Sequence, residues 1–258
     1  MKLAAAALAW SASLSLCAQK EVAPTEAAHT DARPPSSLVP AAREDKGAIE
    51  RQEELLRRVR ESAPTRILFV GDSITQGWEE TGKDVWQRSI APLGALDLGN
   101  SGDRTEHVLW RLQQAPLTRL RPEHVVLLIG TNNLGHHKNN AAETLAGVEA
   151  VARLLALQCP QATVHVLEIF PRGQRFDAMR GDVCQINQAL RAFVRAANAE
   201  AAAAGRKGPR PAFAIHAIGD QFVDGDGAIA KELMPDFLHL TVKGYEMWAA
   251  ALLPCLAD

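Results

Sequence analysis

The chain has 258 residues, enough for one catalytic-sized domain with additional terminal segments. Apolar residues make up 47% of the sequence and charged residues 22%, which is typical of a globular protein with a full core. The formal net charge of −2 provides no basic surface for a polyanion, so the composition argues against a nucleic-acid partner.

Residues 1–18 have the pattern of an export signal. Lys2 supplies a positive charge, Leu3–Trp10 form an apolar stretch, and small residues follow up to Ala18. Because this stretch is too short to span a bilayer, the pattern predicts an exported protein, periplasmic or extracellular. Leu14–Cys17 resembles a bacterial lipobox. Two outcomes stay open: lipidation of Cys17 with attachment to a membrane, or cleavage after Ala18 to give a free secreted protein.

Residues 19–42 are rich in Ala, Pro, Thr and Ser and have no apolar period, which predicts a disordered tether. The domain is therefore expected to span residues 43–258. It begins with a charged segment, Arg43–Ser62, whose apolar residues have helical spacing.

Three cysteines remain after the signal: Cys159, Cys184 and Cys255. An odd number leaves either one disulfide with a spare thiol or three buried thiols. No CxxC spacing or His/Cys cluster indicates a zinc site, so no metal is expected.

Apolar runs alternate with amphipathic stretches through the rest of the chain. The predicted strands are Ile67–Val70, Ala95–Leu98, Val125–Ile129, Val164–Ile169 and Phe213–Ile218. The predicted helices are His107–Gln113, Ala141–Leu157, Gln185–Ala202 and a last one from Tyr245 to Leu256. Strands and helices in alternation predict an α/β fold with a parallel sheet covered on both faces.

Gly71-Asp72-Ser73-Ile74 directly follows the first predicted strand. A serine delivered there lies at the carboxyl edge of the sheet and at the start of a helix, whose N–H groups favour developing negative charge. Ser73 is thus a candidate nucleophile, although serine is also a common helix N-cap. Ser101 is a rival without the strand-turn-helix setting.

Partners for such a serine follow other strands. Asp236 precedes His239 by three residues, a spacing that lets the carboxylate orient the imidazole in a helical turn or tight loop. Gly102 follows the second strand and Asn132 the third, so their N–H groups, with that of Ser73, are candidate oxyanion donors. Asp72 and Asp103 are expected to brace these loops, and Arg111 to form a surface ion pair.

The four blocks, in this order, resemble the SGNH superfamily of GDSL-type hydrolases. Further matching stretches are Val108–Leu112, Phe170–Gly173, Asp224–Ile229, and Asp236–Thr241 followed by Gly244-Tyr245. With them, the chain looks most like the catalytic subunits of the intracellular type I platelet-activating-factor acetylhydrolases and their bacterial relatives. The resemblance implies a three-layer α/β/α fold around a flavodoxin-like five-stranded parallel sheet.

The resemblance also implies a serine esterase with a triad of Ser73, His239 and Asp236, an oxyanion hole of Ser73, Gly102 and Asn132, and no cofactor. The expected substrate is a small ester, of acetyl type, on a carbohydrate or lipid-like molecule. The alternative is a surface-tethered carbohydrate-binding protein of the same fold with little catalysis.

Substrate contacts are expected from Leu134, His136 and Arg172, which follow two of the strands. Relatives can be dimers, so a homodimer is a further expectation from the resemblance.

Overall fold

The structure, a computed structural model, describes residues 33–114, 117–206 and 210–256. The predicted export signal with Cys17, and the predicted tether up to residue 32, lie outside the described residues. Within the described ranges, no helix combines the length and the apolar character that a bilayer-spanning segment needs.

Five parallel strands form one sheet in the described part of the chain, in the order β2-β1-β3-β4-β5. The strands are β1 (Ile67–Gly71), β2 (Ala95–Gly99), β3 (His124–Leu128), β4 (Thr163–Leu167) and β5 (Phe213–His216). Each begins and ends within two residues of the predicted run. The agreement follows from burial on both faces, which makes each strand a short and mostly apolar run.

Helices cover both faces of this sheet. The described helices are α1 (Lys46–Glu61), α2 (Ser73–Gln76), α3 (Lys83–Val85), α4 (Thr105–Gln114), α5 (Thr131–Gly135), α6 (Ala141–Gln158), α7 (Ala178–Ala203) and α8 (Val242–Leu252). Side chains alternate across a strand, so Leu68 and Val70 of β1 pack in one core with α1, α4, α6 and α7. Ile67 and Phe69 pack in a second core with α2, α3 and α8. The predicted three-layer α/β/α fold and its flavodoxin-like strand order are confirmed.

The strand order reverses at β1, which lies between β2 and β3. In open parallel sheets the crevice beyond the carboxyl ends of the strands at such a switch point is the usual ligand position. Ser73 follows β1, Asn132 follows β3 and Gly102 follows β2. The topology therefore brings the three predicted strand-end residues to one edge of the sheet.

The N-terminal boundary of the domain differs from the prediction. The compact unit begins at Pro34, not at residue 43, and includes a 3-10 turn over Ser36–Leu38. Ser37 is buried, and its hydroxyl donates to the carbonyl oxygen of Glu143 at 2.7 Å. Residues 34–42 thus belong to the domain and not to a disordered tether. Their composition resembles a linker because polar hydrogen bonds, rather than apolar contacts, hold them.

The cysteines also differ from both alternatives. Cys159, Cys184 and Cys255 are all free thiols, so no disulfide forms among them. Only Cys159 is fully buried, whereas Cys184 is exposed. Burial raises the pKa of the Cys159 thiol to about 12, which keeps it protonated and makes it a structural residue.

Three histidines, for which the sequence suggested no role, form a hydrogen-bonded row across β3, β4 and β5. The distance from His124 Nδ1 to His165 Nε2 is 2.9 Å, and that from His165 Nδ1 to His216 Nε2 is also 2.9 Å. In such a row each neutral ring donates to one neighbour and accepts from the other. Burial and the neighbouring histidines lower the pKa of His165 to about 3.

We expect acid to destabilise the fold through this row. A histidine with a pKa near 6.5 unfolded and about 3 folded binds more protons in the unfolded state between these values, so stability falls as the pH drops through that window. His165→Gln removes this contribution. Urea unfolding between pH 7 and pH 4 should show a shallower loss for His165→Gln than for wild type, by about 1.4 kcal/mol per pH unit at most.

His137→Asn is the matched control, because His137 is exposed in a turn with φ 53°. This variant should keep the wild-type slope. Equal slopes for wild type and His165→Gln would show that the row is not the acid-sensitive element.

Candidate active site

Ser73 is the first residue of α2, immediately beyond the end of β1. Asp72, not Ser73, is the N-cap: its Oδ1 accepts a hydrogen bond from the N–H of Ile74 at 3.0 Å. The capping role that the sequence left open for Ser73 is thereby filled by its neighbour. The Ser73 hydroxyl is free to bond outside the helix.

The structure brings Ser73, His239 and Asp236 into one hydrogen-bonded series. Ser73 Oγ lies 2.9 Å from His239 Nε2. His239 Nδ1 lies 2.6 Å from Asp236 Oδ2. Each imidazole nitrogen thus has one partner, and a proton on Nδ1 leaves Nε2 as an acceptor for the serine proton. This arrangement can activate a hydroxyl for attack on a carbonyl carbon.

The turn that carries the imidazole is held by its own carboxylate. Asp236 Oδ1 accepts from the backbone N–H groups of Leu238 at 3.1 Å and His239 at 2.8 Å. Burial raises the pKa of Asp236, but the hydrogen bonds from His239 and Leu238 outweigh it and hold the pKa below its usual value. The carboxylate therefore stays charged and can accept the hydrogen bond from the imidazole Nδ1.

A second carboxylate, that of Asp72, lies close to the serine but does not pair with the imidazole. Asp72 is completely buried, and this burial raises its pKa to about 7. Its Oδ2 has no hydrogen-bond partner among the described residues. Asp72 therefore supports the loop through Ile74, and Asp236 is the residue that orients His239.

Through Tyr245, helix α8 contacts the segment that carries Ser73. The hydroxyl of Tyr245 donates to the carbonyl oxygen of Ile74 at 2.8 Å, and its ring packs on Trp78 with centroids 4.5 Å apart. Tyr245 follows His239 by six residues, so one chain segment holds both ends of the serine–histidine contact. Relative motion of the two is thereby restrained.

Three N–H groups at the strand ends have no acceptor within the described residues. They are the backbone N–H of Ser73, the backbone N–H of Gly102 and one hydrogen of the Asn132 amide. The other hydrogen of that amide goes to the carbonyl oxygen of Asp103 at 3.0 Å. The amide of Asn132 is thus fixed one residue away from Gly102. Fixed donors of this kind can bind an oxyanion.

Two glycines shape these loops. Gly102 has φ 76° and Gly130, just before α5, has φ 120°. Residues that have a side chain rarely adopt such φ values. A Cβ built at Gly130 would lie 2.7 Å from Ile169 Cδ1, so the loop after β3 also needs a residue without a side chain for packing.

Two arginines that the sequence did not place at the site fix the loop after β2. Arg111 Nη2 donates to Asp103 Oδ2 at 2.8 Å, and its Nη1 donates to the carbonyl oxygen of Leu98 at 2.5 Å. The surface ion pair expected for Arg111 is wrong, because Arg111 and Asp103 are both buried. Arg43 contacts the same carboxylate from the N-terminal segment. The stretch Val108–Leu112, which resembles the family, was a sequence signal that could have placed Arg111 at the site. No sequence signal pointed to Arg43.

The residues predicted to contact substrate lie around the same loops but differ in exposure. Leu134 is 4% exposed and packs in the core, so little of it is left for a ligand. His136 is exposed on the surface. Arg172 is partly buried, and its Nη1 donates to the carbonyl oxygen of Thr131 at 3.0 Å, directly before Asn132. Of the three, Arg172 is best placed beside the candidate donors.

Within the described residues, no group of three or more His, Cys, Asp or Glu side chains is arranged to hold a metal ion. A cleft of about 460 Å³ lies beside α5 and the start of α7. Its lining includes Leu134, Asn139 and Met179. Ser73, Asp236 and His239 are not among the residues that line it.

The sequence matches the GDSL-like Lipase/Acylhydrolase family over residues 69–247. Among curated relatives, it is 37% identical over 180 residues to the platelet-activating factor acetylhydrolase IB subunit alpha2 of Rattus norvegicus, covering 69% of this chain and 70% of the relative. The family match includes Ser73, Gly102, Asn132 and the Asp236–His239 turn.

Solved structures share the fold at lower sequence identity. A GDSL-like lipase from Bacteroides thetaiotaomicron superposes with a TM-score of 0.56 at 20% identity, covering 80% of this chain and 97% of that one. Axe2, an acetylxylan esterase from Geobacillus stearothermophilus, gives a TM-score of 0.54 at 19% identity, covering 76% of this chain and 96% of that one. The described architecture is therefore the fold of these two structures.

Asn132 and Asn133 are neighbours of the same type with different surroundings, which allows a matched stability test. Asn133 is completely buried and bonds to Thr105, Glu106 and Asn139. Asn133→Ala leaves several of these groups unpaired, at about 1–3 kcal/mol each. We expect the free energy of unfolding in urea to fall by about 3 kcal/mol for Asn133→Ala and by about 1 kcal/mol for Asn132→Ala. Equal losses would contradict the structural role of Asn133.

Proposed function

The chain belongs to the GDSL-like lipase/acylhydrolase family and is a carboxylic-ester hydrolase, and from this we propose that it hydrolyses short-chain, acetyl-type esters with Ser73, His239 and Asp236 as its triad. The observation that carries the proposal is the series Ser73 Oγ–His239 Nε2, 2.9 Å, and His239 Nδ1–Asp236 Oδ2, 2.6 Å. Nucleophile, base and orienting carboxylate are then in hydrogen-bond contact before substrate arrives.

In the first step, Ser73 Oγ attacks the carbonyl carbon of the ester while its proton passes to His239 Nε2. The imidazolium is stabilised by the carboxylate of Asp236 at Nδ1. The carbonyl oxygen becomes an oxyanion and accepts hydrogen bonds from Ser73 N–H, Gly102 N–H and the Asn132 amide. Helix α2 starts at Ser73 and adds the positive end of its first-turn dipoles to this stabilisation.

The tetrahedral intermediate then collapses. The bond to the alcohol oxygen breaks, and that oxygen takes the proton from His239 Nε2, leaving acyl-Ser73. Water enters, gives its proton to His239 and attacks the acyl carbon. Collapse of the second intermediate returns the proton to Ser73 Oγ and releases the acid, so atoms and protons balance over the cycle.

The names of similar proteins support the proposed acetyl-type acyl group. The curated relatives are named acetylhydrolases, and Axe2 is an acetylxylan esterase of the same fold. The leaving alcohol is proposed to be a carbohydrate or a lipid-like molecule.

We expect Ser73→Ala to abolish hydrolysis of p-nitrophenyl acetate and labelling by a fluorophosphonate probe, because both need the serine oxygen. Asp236→Asn should fold normally and lower kcat by about 10⁴-fold, since the imidazole then has the wrong tautomer. Release of p-nitrophenol at neutral pH and mass spectrometry of the labelled peptide are the measurements. Wild-type protein without turnover or labelling at Ser73 would refute the esterase mechanism.

The oxyanion role of Asn132 has its own test. Asn132→Ala should lower kcat by about 10²–10³-fold, equivalent to about 2.7–4 kcal/mol of transition-state stabilisation. KM should change little, because the interaction forms with the oxyanion rather than with the ground-state carbonyl. Hydrolysis of acetyl, butyryl and octanoyl esters by this variant is the measurement. A rise in KM at unchanged kcat would make Asn132 a substrate contact instead.

Export is a separate proposal, supported by Lys2, the apolar stretch Leu3–Trp10 and the lipobox-like Leu14–Cys17. Two outcomes are proposed: lipidation of Cys17, or cleavage after Ala18. Expression of the full chain in a bacterial host with labelled palmitate distinguishes them. Label lost in Cys17→Ser indicates a lipoprotein, and an unlabelled mature chain beginning after Ala18 indicates a free exported protein. An intact N-terminus in the cytoplasm would contradict both.

A further inference from the structure

The N-terminal strap, residues 34–45, crosses from α6 to α1 over the loops that follow β2 and β3. At its first end, Ser36 Oγ accepts from Asn139 Nδ2 at 3.0 Å, and the carbonyl oxygen of Ser37 accepts from Thr105 Oγ1 at 3.0 Å. In its middle, the N–H of Ala41 donates to the carbonyl oxygen of Glu106 at 3.1 Å. The strap is therefore hydrogen-bonded at three positions to residues that follow the loops carrying Gly102 and Asn132.

Arg43 forms the second end of the strap. Its Nη1 donates to the carbonyl oxygen of Ser101 at 2.8 Å and to Asp103 Oδ1 at 3.1 Å. The two acceptors flank Gly102 on both sides. A Cβ built at Gly102 would lie 3.0 Å from Arg43 Nη2, so the guanidinium also covers the glycine itself. Arg43 thus contacts the loop on both sides of the residue that carries one candidate oxyanion donor, and Arg111 contacts the same loop at Asp103.

The contact between Arg43 and Asp103 also affects the Asn132 amide, which is the side-chain member of the three candidate donors. The carbonyl oxygen of Asp103, whose carboxylate Arg43 binds, accepts the hydrogen bond that fixes the Asn132 amide. A shift of the 101–103 loop would therefore move the Gly102 N–H and the Asn132 amide together. Oxyanion stabilisation depends on donor positions to within a fraction of an ångström.

Four of the five guanidinium N–H groups of Arg43 have acceptors within the described residues. Its Nε and Nη2 both donate to Asp45 Oδ2, at 3.0 Å and 2.6 Å, and Nη1 serves the loop. Asp45 in turn caps α1 by accepting from the N–H of Ala48 at 3.0 Å. The side chain of Arg43 is 15% exposed. Arg43 is consequently a link between a helix end and the 101–103 loop.

We propose that Arg43 is a positioning residue for the oxyanion hole, and that the strap, through Arg43, holds Gly102 and Asn132 in the geometry of the transition state. This rests on the proposed esterase function. The substitution that tests it is Arg43→Gln, which keeps a polar side chain but cannot bridge Ser101, Asp103 and Asp45 together. It should lower kcat for p-nitrophenyl acetate by about 10²-fold with KM within about threefold of wild type.

The rate of fluorophosphonate labelling should fall with kcat, because the phosphonyl oxygen uses the same donors. Arg43→Lys, which keeps the charge and can still reach the loop, should recover about tenfold of the lost rate. Thermal unfolding of each variant verifies the fold. If Arg43→Gln does not fold, Arg43→Lys alone decides: a lower kcat at unchanged KM supports the proposal, and wild-type kcat overturns it.

Arg51→Gln is the matched control. Arg51 has similar burial, contacts two carboxylates and donates to the carbonyl oxygen of Gly99 at 3.1 Å, three residues before Gly102. It should keep wild-type kcat. Wild-type kcat in Arg43→Gln, a rise in KM alone, or an equal loss in both variants would overturn the positioning role. Absence of Ser73-dependent turnover in the wild type would instead refute the esterase function itself.

Discussion

The loop that carries the candidate oxyanion donor Gly102 depends on the buried carboxylate of Asp103. This side chain is 1% exposed, so its charge must be matched inside the protein. Burial raises the pKa of Asp103, and the guanidinium groups of Arg111 and Arg43 act against that rise. Arg111 is itself tied to the end of β2 through Leu98, and Arg43 to the start of α1 through Asp45. One carboxylate thereby connects the sheet, the first helix and the loop that carries Gly102. Removing one member of a buried ion pair typically lowers the free energy of unfolding by about 3–5 kcal/mol.

The sequence predicted the layers of this fold well because its strands are buried on both faces. A run such as Ile67–Val70 has the same apolar character whichever neighbours it has, and the glycine and polar residues after it mark its end. The strand-end blocks around Ser73, Gly102 and Asn132 follow from the same logic, since parallel strands deliver their carboxyl ends to one edge. Fold and site placement thus depend on local patterns that are visible along the chain.

What the sequence did not predict are contacts between polar residues far apart along the chain. Ser37 bonds to Glu143 across 106 residues and Arg43 to Asp103 across 60, and neither leaves a period or a local motif. The Pro- and Ser-rich segment around Ser37 was for that reason predicted as a tether. The histidine row has the same origin: His124, His165 and His216 lie on three strands, and only the register of β3, β4 and β5 brings their rings together. Linear composition carries no information on such pairings.

The two halves of the site are held by different physical means. The donor half is less exposed: Asn132 is 6% exposed and is fixed through Asp103, and Ser73 and Gly102 are partly buried. The half that carries the imidazole is open, with side chains of His239 and Asp236 that are 46% and 54% exposed. Core packing therefore does not fix the imidazole; the Asp236 carboxylate does, by accepting from two backbone N–H groups of its own turn, within which Phe237 adopts φ 58°. The backbone N–H of Gly173 donates to the carbonyl oxygen of Phe237 at 2.9 Å and anchors this strained turn to the loop after β4. A base on an exposed turn that its own carboxylate braces can exchange protons with water, while the loops that carry the candidate donors stay fixed. Both properties suit the proposed mechanism, in which one imidazole serves first an alcohol and then a water molecule.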